Sequence, residues 1–316
     1  MKARSYRSVL ADGYRLYNDN FRKLFKASWI LAIIYAVCCG AFGTLIAIKV
    51  PELTLALMQQ LTAMQGFFAE TVKTYALNIF GIIGLLLLAI ATMSMASATI
   101  LNKLKEHKDT GTISTPPYWL TTSAAMMGRS LKGVFLTILV LIIPLLLFIG
   151  MVAIVESVSP QAIMGHLTTF LVALCIVCIL LVILVHPLMY ILMKYVMEAP
   201  CKYWKTLSAN FGCGMRHWGS LFLVFFLSML FIQLLGLVIM LPAHILNYAN
   251  QQAHTGLLIG DPLGMPSYMT ALTFATFALC SFIEFYVSQV MLVHNYYIYG
   301  SIETKEKERK QTLSKL

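Results

Sequence analysis

Six long apolar runs, at 27–49, 76–101, 134–154, 168–193, 219–241 and 268–292, constrain this chain more than any motif does. Each holds roughly the ~20 residues a helix needs to cross a bilayer core. In lipid, every backbone N–H and C=O must find its partner within its own segment, so such runs form helices. Composition agrees: 59% of residues are hydrophobic, 11% are charged and the mean hydropathy is +0.79. That is too apolar for a soluble domain of this size. The expected fold is all-α integral membrane, a six-transmembrane-helix bundle forming a single polytopic domain over 1–316.

The cations orient the bundle. Of the 23 Lys and Arg, 21 fall in segments that share one side of a six-span arrangement, and only Lys49 and Lys73 fall elsewhere. The segments 156–165 and 244–266 contain neither residue type. By the positive-inside rule both termini are expected in the cytoplasm. Attraction to anionic lipid headgroups accounts for these cations, and no nucleic-acid module accompanies them, so no nucleic-acid partner is expected. The first run begins at residue 27 and is too long for a signal-peptide core, so the first helix reads as a retained anchor.

Three segments on the basic side are amphipathic. In 6–25, Tyr6, Val9, Gly13, Tyr17, Phe21 and Leu24 keep helical spacing on one face, with Arg7, Arg15, Asp19 and Arg22 mainly elsewhere. A second follows Pro116-Pro117, with Tyr118, Trp119, Leu120 and Met127 among Arg129 and Lys132. A third follows Pro200, with Tyr203, Trp204, Leu207 and Phe211 opposite Lys202 and Lys205. Aromatic residues and cations at a span entrance suit the headgroup layer, so interfacial helices are expected. The inward spans also end alike, at Ile100-Leu101-Asn102-Lys103, Ile191-Leu192-Met193-Lys194 and Leu292-Val293-His294-Asn295. Two readings stand: a threefold repeat of helix, span and span (1–103, 117–194, 200–295, then a basic tail 296–316), or entrance signals common to membrane proteins. Within the first outer segment, 50–75, the spacing of Leu57, Leu61, Met64 and Phe68 predicts a short helix of its own.

Polar groups inside the runs are the candidates for chemistry. Glu284 lies well inside the sixth run, where an acid costs about 2.5–3.5 kcal/mol on insertion scales. It is either a proton or cation site or a hydrogen-bonded carboxyl within the bundle. His186, before Pro187 in the fourth run, matches its depth to within about one helical turn. Tyr190 lies one turn from His186, and Gln233 in the fifth run adds a further polar group. The set Glu284, His186, Tyr190 and Gln233 is the candidate intramembrane site, and His186 with Pro187 reads equally as a satisfied kink. The small residues Ala89, Thr92, Ser94, Ala96 and Ala98 read as close packing, with a substrate path as the alternative.

Enzyme and metal signatures are missing. There is no Gly-x-Ser-x-Gly elbow, His-Glu-x-x-His, phosphate loop or intramembrane aspartate pair. None of the seven cysteines falls in an expected outer loop, so no disulfide framework is expected. Cys175 and Cys178 have redox or zinc spacing but sit in an apolar run without a second pair, and His244 and His254 match no helical ligand spacing. No metal or cofactor is expected.

Two motifs occur together. Tyr14-Arg15-Leu16-Tyr17-Asn18-Asp19-Asn20-Phe21 enters the first run. Glu198-Ala199-Pro200 precedes Tyr203-Trp204-Lys205-Thr206-Leu207-Ser208-Ala209-Asn210-Phe211 and then Trp218-Gly219. The pattern resembles a poorly characterised six-span bacterial membrane family related to the membrane domain of glycerophosphodiester phosphodiesterases. The soluble phosphodiesterase domain has no counterpart here, so no catalytic residue carries over. The resemblance implies a bacterial inner-membrane protein. Three functional readings follow: a non-enzymatic protein supporting envelope or lipid organisation, or acting as a membrane partner subunit; a small transporter or channel using Glu284; and a membrane-embedded enzyme. A wet cavity at Glu284 favours transport, whereas a dry interior with a lateral groove favours lipid or protein binding.

Overall fold

The computed structural model describes residues 3–62, 68–114, 124–158, 167–198, 201–258 and 266–314. Among these residues the chain forms α1 (Tyr6–Thr62), α2 (Phe68–Thr110), α3 (Ala124–Val158), α4 (Leu167–Met197), α5 (Tyr203–Arg216), α6 (Trp218–Leu258) and α7 (Met269–Leu313), with no strand. All but the 14-residue α5 are long and apolar enough to cross a membrane, six spans in total. The chain thus has the form of a multi-pass membrane protein. The start of α1, the end of α2, the end of α4 and the last third of α7 meet at one end of the bundle, where Arg4 bonds Ser301, His107 bonds Tyr296 and Lys194 bonds Glu303. That end carries most of the cations and is called the basic end below.

The helices outrun any bilayer. The 57 residues of α1 at ~1.5 Å each are nearly three times the length needed to cross a ~30 Å core. The stretch 6–25, expected as a separate interfacial helix, is therefore the first part of α1 itself. No Pro or Gly separates Phe25 from the apolar run, and Val9, Leu16, Tyr17 and Leu24 are buried along one face. The short helix expected in the outer segment is not separate: Leu57 and Leu61 continue α1 to Thr62, Phe68 opens α2, and Met64 lies outside the described residues. The helix runs past Lys49 and through Pro51, where Lys49 pairs with Glu52 at 2.9 Å and Thr54 Oγ1 donates to the Val50 carbonyl. Only the third amphipathic stretch stands alone, as α5. The second lies in part within 115–123, outside the described residues.

Antiparallel α1 and α7 form the spine. They meet at Gly13 with His294, Tyr17 with Tyr286, Gly40 with Ala278 and Gly43 with Phe277, and Arg4, just before α1, bonds Ser301. A β-carbon at Gly40 or Gly43 would stand 2.9 Å or 2.4 Å from the facing side chain. Small residues of this kind let helices approach closely where lipid supplies no hydrophobic drive. Helix α6 packs on both members of the spine, and α2 packs on α1. Helix α3 touches chiefly α2 and α4, and only 6% of its apolar window is buried, against 39% for α1 and α7.

The core sits at the basic end. Residues 293–302 of α7, which run from the expected end of the sixth span into the expected basic tail, are ten consecutive buried positions. A helix buried on every side must satisfy its polar tips internally. Tyr296 shares a hydrogen bond with His107 of α2 at 3.0 Å, His294 Nδ1 meets Ser228 Oγ of α6 at 2.7 Å, and Arg4 lies over the Tyr297 ring at 4.6 Å. Solvated helix begins only beyond Ile302.

Candidate functional site

The structure scatters the four expected polar residues. Glu284 faces α6, where a β-carbon at Gly236 would lie 3.4 Å from its Oε1. His186 of α4 packs instead against Trp218, Phe222 and Phe225 of α6, with Nδ1 2.7 Å from the Val182 carbonyl. Tyr190 points to the basic end, donating to Glu303 at 2.5 Å. Gln233 is exposed on α6. His186 and Glu284 face different neighbours, and their contacts on α6, Phe225 and Gly236, lie eleven residues apart along that helix, so the expected match in depth does not hold.

Pro187 explains the surroundings of His186. Proline has no N–H, so the Ile183 carbonyl one turn earlier loses its helical partner. The indole N–H of Trp218 donates to that carbonyl at 3.2 Å. Pro187 also receives α5 closely, since a β-carbon at Gly214 would stand 2.7 Å from its Cβ.

A cavity of about 460 Å³ lies between α2 and α4, which make at most marginal contact. This is within the ~300–1,000 Å³ typical of small-molecule sites. Ile90, Met93 and Leu86 of α2, Met189 and Leu192 of α4 and Phe42 of α1 form apolar walls. Leu86 is 44% exposed, so the lining continues onto the outer face of the bundle. Of the small residues in α2, Ala96 and Ala98 are fully buried, whereas Ala89 and Ser94 line the cavity. The polar lining is uncharged: Ser94 and Ser130 bond to each other at 3.2 Å, Ser97 donates to Gln289 at 3.3 Å, and Asn295 closes the basic end. Glu284 lines neither this cavity nor the two clefts at the basic end.

Those clefts flank a polar cluster joining α4, α5 and α7. Glu303 receives Tyr190 and Lys194, the latter at 2.6 Å. Tyr299 donates to Glu198, which lies 4.0 Å from Lys194. Glu306 gathers Arg216, His217 and Arg309 at 3.0, 3.0 and 2.9 Å. Cys213, His217 and Glu306 bring three potential metal-ligand atoms within 4.8 Å of one another. Thiolate and imidazole there would suit zinc. Two guanidiniums already hold Glu306, and burial pushes the Cys213 thiol up, away from the thiolate a metal needs. The cluster is therefore built first as a clamp between α5 and α7.

Sequence reasoning missed Asn295, Glu303 and Glu306. Asn295 marked a span end, and the two acids lay in a segment of alternating charge. The available signal was the unbroken Tyr296-Tyr297-Ile298-Tyr299 run, which is too apolar for a solvated tail. No protein-family model, curated protein or solved structure matches the chain.

Proposed function

We propose that this chain is a non-enzymatic inner-membrane protein of bacteria that binds bilayer lipid within its helices and so supports envelope or lipid organisation. The observation that carries the proposal is the cavity between α2 and α4, with apolar walls, no charged lining residue and a rim at exposed Leu86. A bilayer acyl chain is the occupant such walls favour. The resemblance to the six-span family agrees with this reading, as does the basic end, whose Lys202 and Lys205 beside α5 suit anionic headgroups in the cytoplasmic leaflet. Both termini are then cytoplasmic. The peripheral α3, with its exposed Leu139, Ile143 and Leu147, offers a face for lipid or for a membrane partner subunit.

Transport through Glu284 has less support, because its carboxyl packs against α6 beside Gly236 and away from the cavity. An enzyme has less still, because the polar cluster at the basic end is committed to its own ion pairs.

Native mass spectrometry after mild detergent extraction tests the proposal. The wild-type chain should retain lipid through detergent exchange, and Ile90→Trp, which fills the cavity, should lose it while keeping its melting temperature within a few degrees. Equal retention by both, or none by either, would overturn lipid binding at this site.

A further inference from the structure

We infer that this chain forms a two-fold dimer through the outer face of α6, in which Gln233 of each copy hydrogen-bonds Gln233 of the other near the middle of the membrane. The occupant of that face is a second copy of this chain.

Three observations converge. First, Gln233 is exposed, and among the described residues it has no hydrogen-bond partner. Its amide is therefore open to whatever lies against α6. Second, it stands deep in the span. Trp218, at the basic end of α6, is fifteen residues away, and exposed His244 is eleven residues away in the other direction. At ~1.5 Å per residue these are about 22 Å and 16 Å, too far for the two methylenes of a Gln side chain to carry its amide to either headgroup layer. Third, the amide has no polar company. Among the described residues of the six apolar runs, Gln233 is the only exposed side chain carrying an amide, carboxylate, imidazole or cation. Phe226, Met229, Leu230 and Leu237, one or two turns away on the same face, are exposed and apolar. Lipid tails suit these four, whereas an amide in hydrocarbon forfeits the bonds water would give it. A partner that returns an N–H and a C=O removes that cost.

The chemistry selects a second copy. A primary amide carries both donor and acceptor, so two of them face to face exchange a pair of N–H···O=C bonds. A two-fold axis along the bilayer normal keeps the basic ends of both copies on one side. It also brings any residue beside the axis to its own counterpart at equal depth. Gln233 thus meets its complement with no further polar group on the surface. A different membrane protein would need an amide or hydroxyl of its own at that depth. Phe226, Leu230 and Leu237 supply the side-chain packing that drives helix association in lipid. None of these residues lines the cavity between α2 and α4, so the dimer and the lipid site are separable.

Energy transfer between donor- and acceptor-labelled copies of the full-length chain in liposomes tests the inference. The labels are attached by Lys307→Cys in an otherwise cysteine-free chain, and transfer is followed over a range of protein-to-lipid ratios. With Gln233 in place, transfer should rise with protein density and fit a monomer–dimer equilibrium. Gln233→Leu should raise the dissociation constant about tenfold, the factor that two interhelical hydrogen bonds of ordinary strength supply. Gln233→Asn, which keeps the amide, should recover part of that loss. Gln233 has no hydrogen bond to lose within its own chain, so both variants should keep the wild-type helical content. Oxidative cross-linking then locates the contact: Leu230→Cys and Leu237→Cys should give disulfide-linked dimers, and Leu147→Cys on the exposed face of α3 should not. Monomers at every ratio, an unchanged dissociation constant in Gln233→Leu, or cross-linking at position 147 in preference to 230 and 237 would overturn the inference.

Discussion

Gly13 of α1 lies directly against the His294 imidazole of α7, so that a β-carbon at position 13 would stand 2.3 Å from His294 Cδ2. The same imidazole meets Ser228 of α6 at 2.7 Å. One side chain thus ties three helices together where the core is densest. Gly13→Ala must displace it and is expected to cost about 1–3 kcal/mol by overpacking. Gly84 has open space around it, so Gly84→Ala should be neutral or gain up to ~1 kcal/mol of helix propensity. Thermal unfolding of both variants in one detergent checks this pair, and equal shifts would contradict the close approach.

The Trp218 bond to the Ile183 carbonyl makes a prediction with a sign. Trp218→Phe keeps a ring beside Phe222 but leaves the carbonyl freed by Pro187 without a donor. A loss of about 1–3 kcal/mol is expected. Adding Pro187→Ala restores the helical N–H, so the double variant should recover part of the loss. Simple additivity of the two losses in a double-mutant cycle would show that Trp218 serves packing alone.

Burial pushes the Cys213 thiol up from its ordinary range, so less thiolate is present at neutral pH. In a chain whose other cysteines are replaced, alkylation of Cys213 should be slow at pH 7. Its rate should keep rising beyond about pH 8.5, where an unperturbed thiol levels off. A rate that levels off at the ordinary value would place Cys213 in water and remove the clamp as its environment.

With both termini cytoplasmic, cysteine placed at Lys202 should resist an impermeant maleimide added outside intact cells and react after lysis. Cysteine at Gly256, at the opposite end of α6, should react from outside. The reverse pattern would invert the bundle and separate its basic end from the cytoplasmic leaflet.

The number of the spans was legible because hydropathy over ~20 residues reports directly on bilayer crossing. Their continuity was not. The stretch 6–25 has the composition of an interfacial helix, and only the packing of Val9, Tyr17 and Leu24 on α7 makes it the first part of α1. The burial of Tyr296 and Tyr299 was hidden for a similar reason, since their hydroxyls reach His107 and Glu198 far away in sequence. Neither the relative depth of His186 and Glu284 nor their rotation about the helix axes was readable, and His186 meets Trp218 near one end of α6 whereas Glu284 lies towards Gly236 further along it. The cavity itself left no trace in the sequence. It exists because α2 and α4 are held apart, while the residues lining it look like ordinary packing positions.

The most direct test of the account is what fills that cavity. A nitroxide attached at position 93 by Met93→Cys, in an otherwise cysteine-free chain in a bilayer, reports collisions with oxygen, which partitions into lipid, and with a water-soluble nickel chelate. The account predicts frequent oxygen collisions and almost no nickel collisions, as for a label at lipid-facing Phe80. Nickel collisions approaching those of a label on the exposed end of α7, at Lys307, would mean a water-filled path between α2 and α4 and would contradict lipid binding as the function of this site.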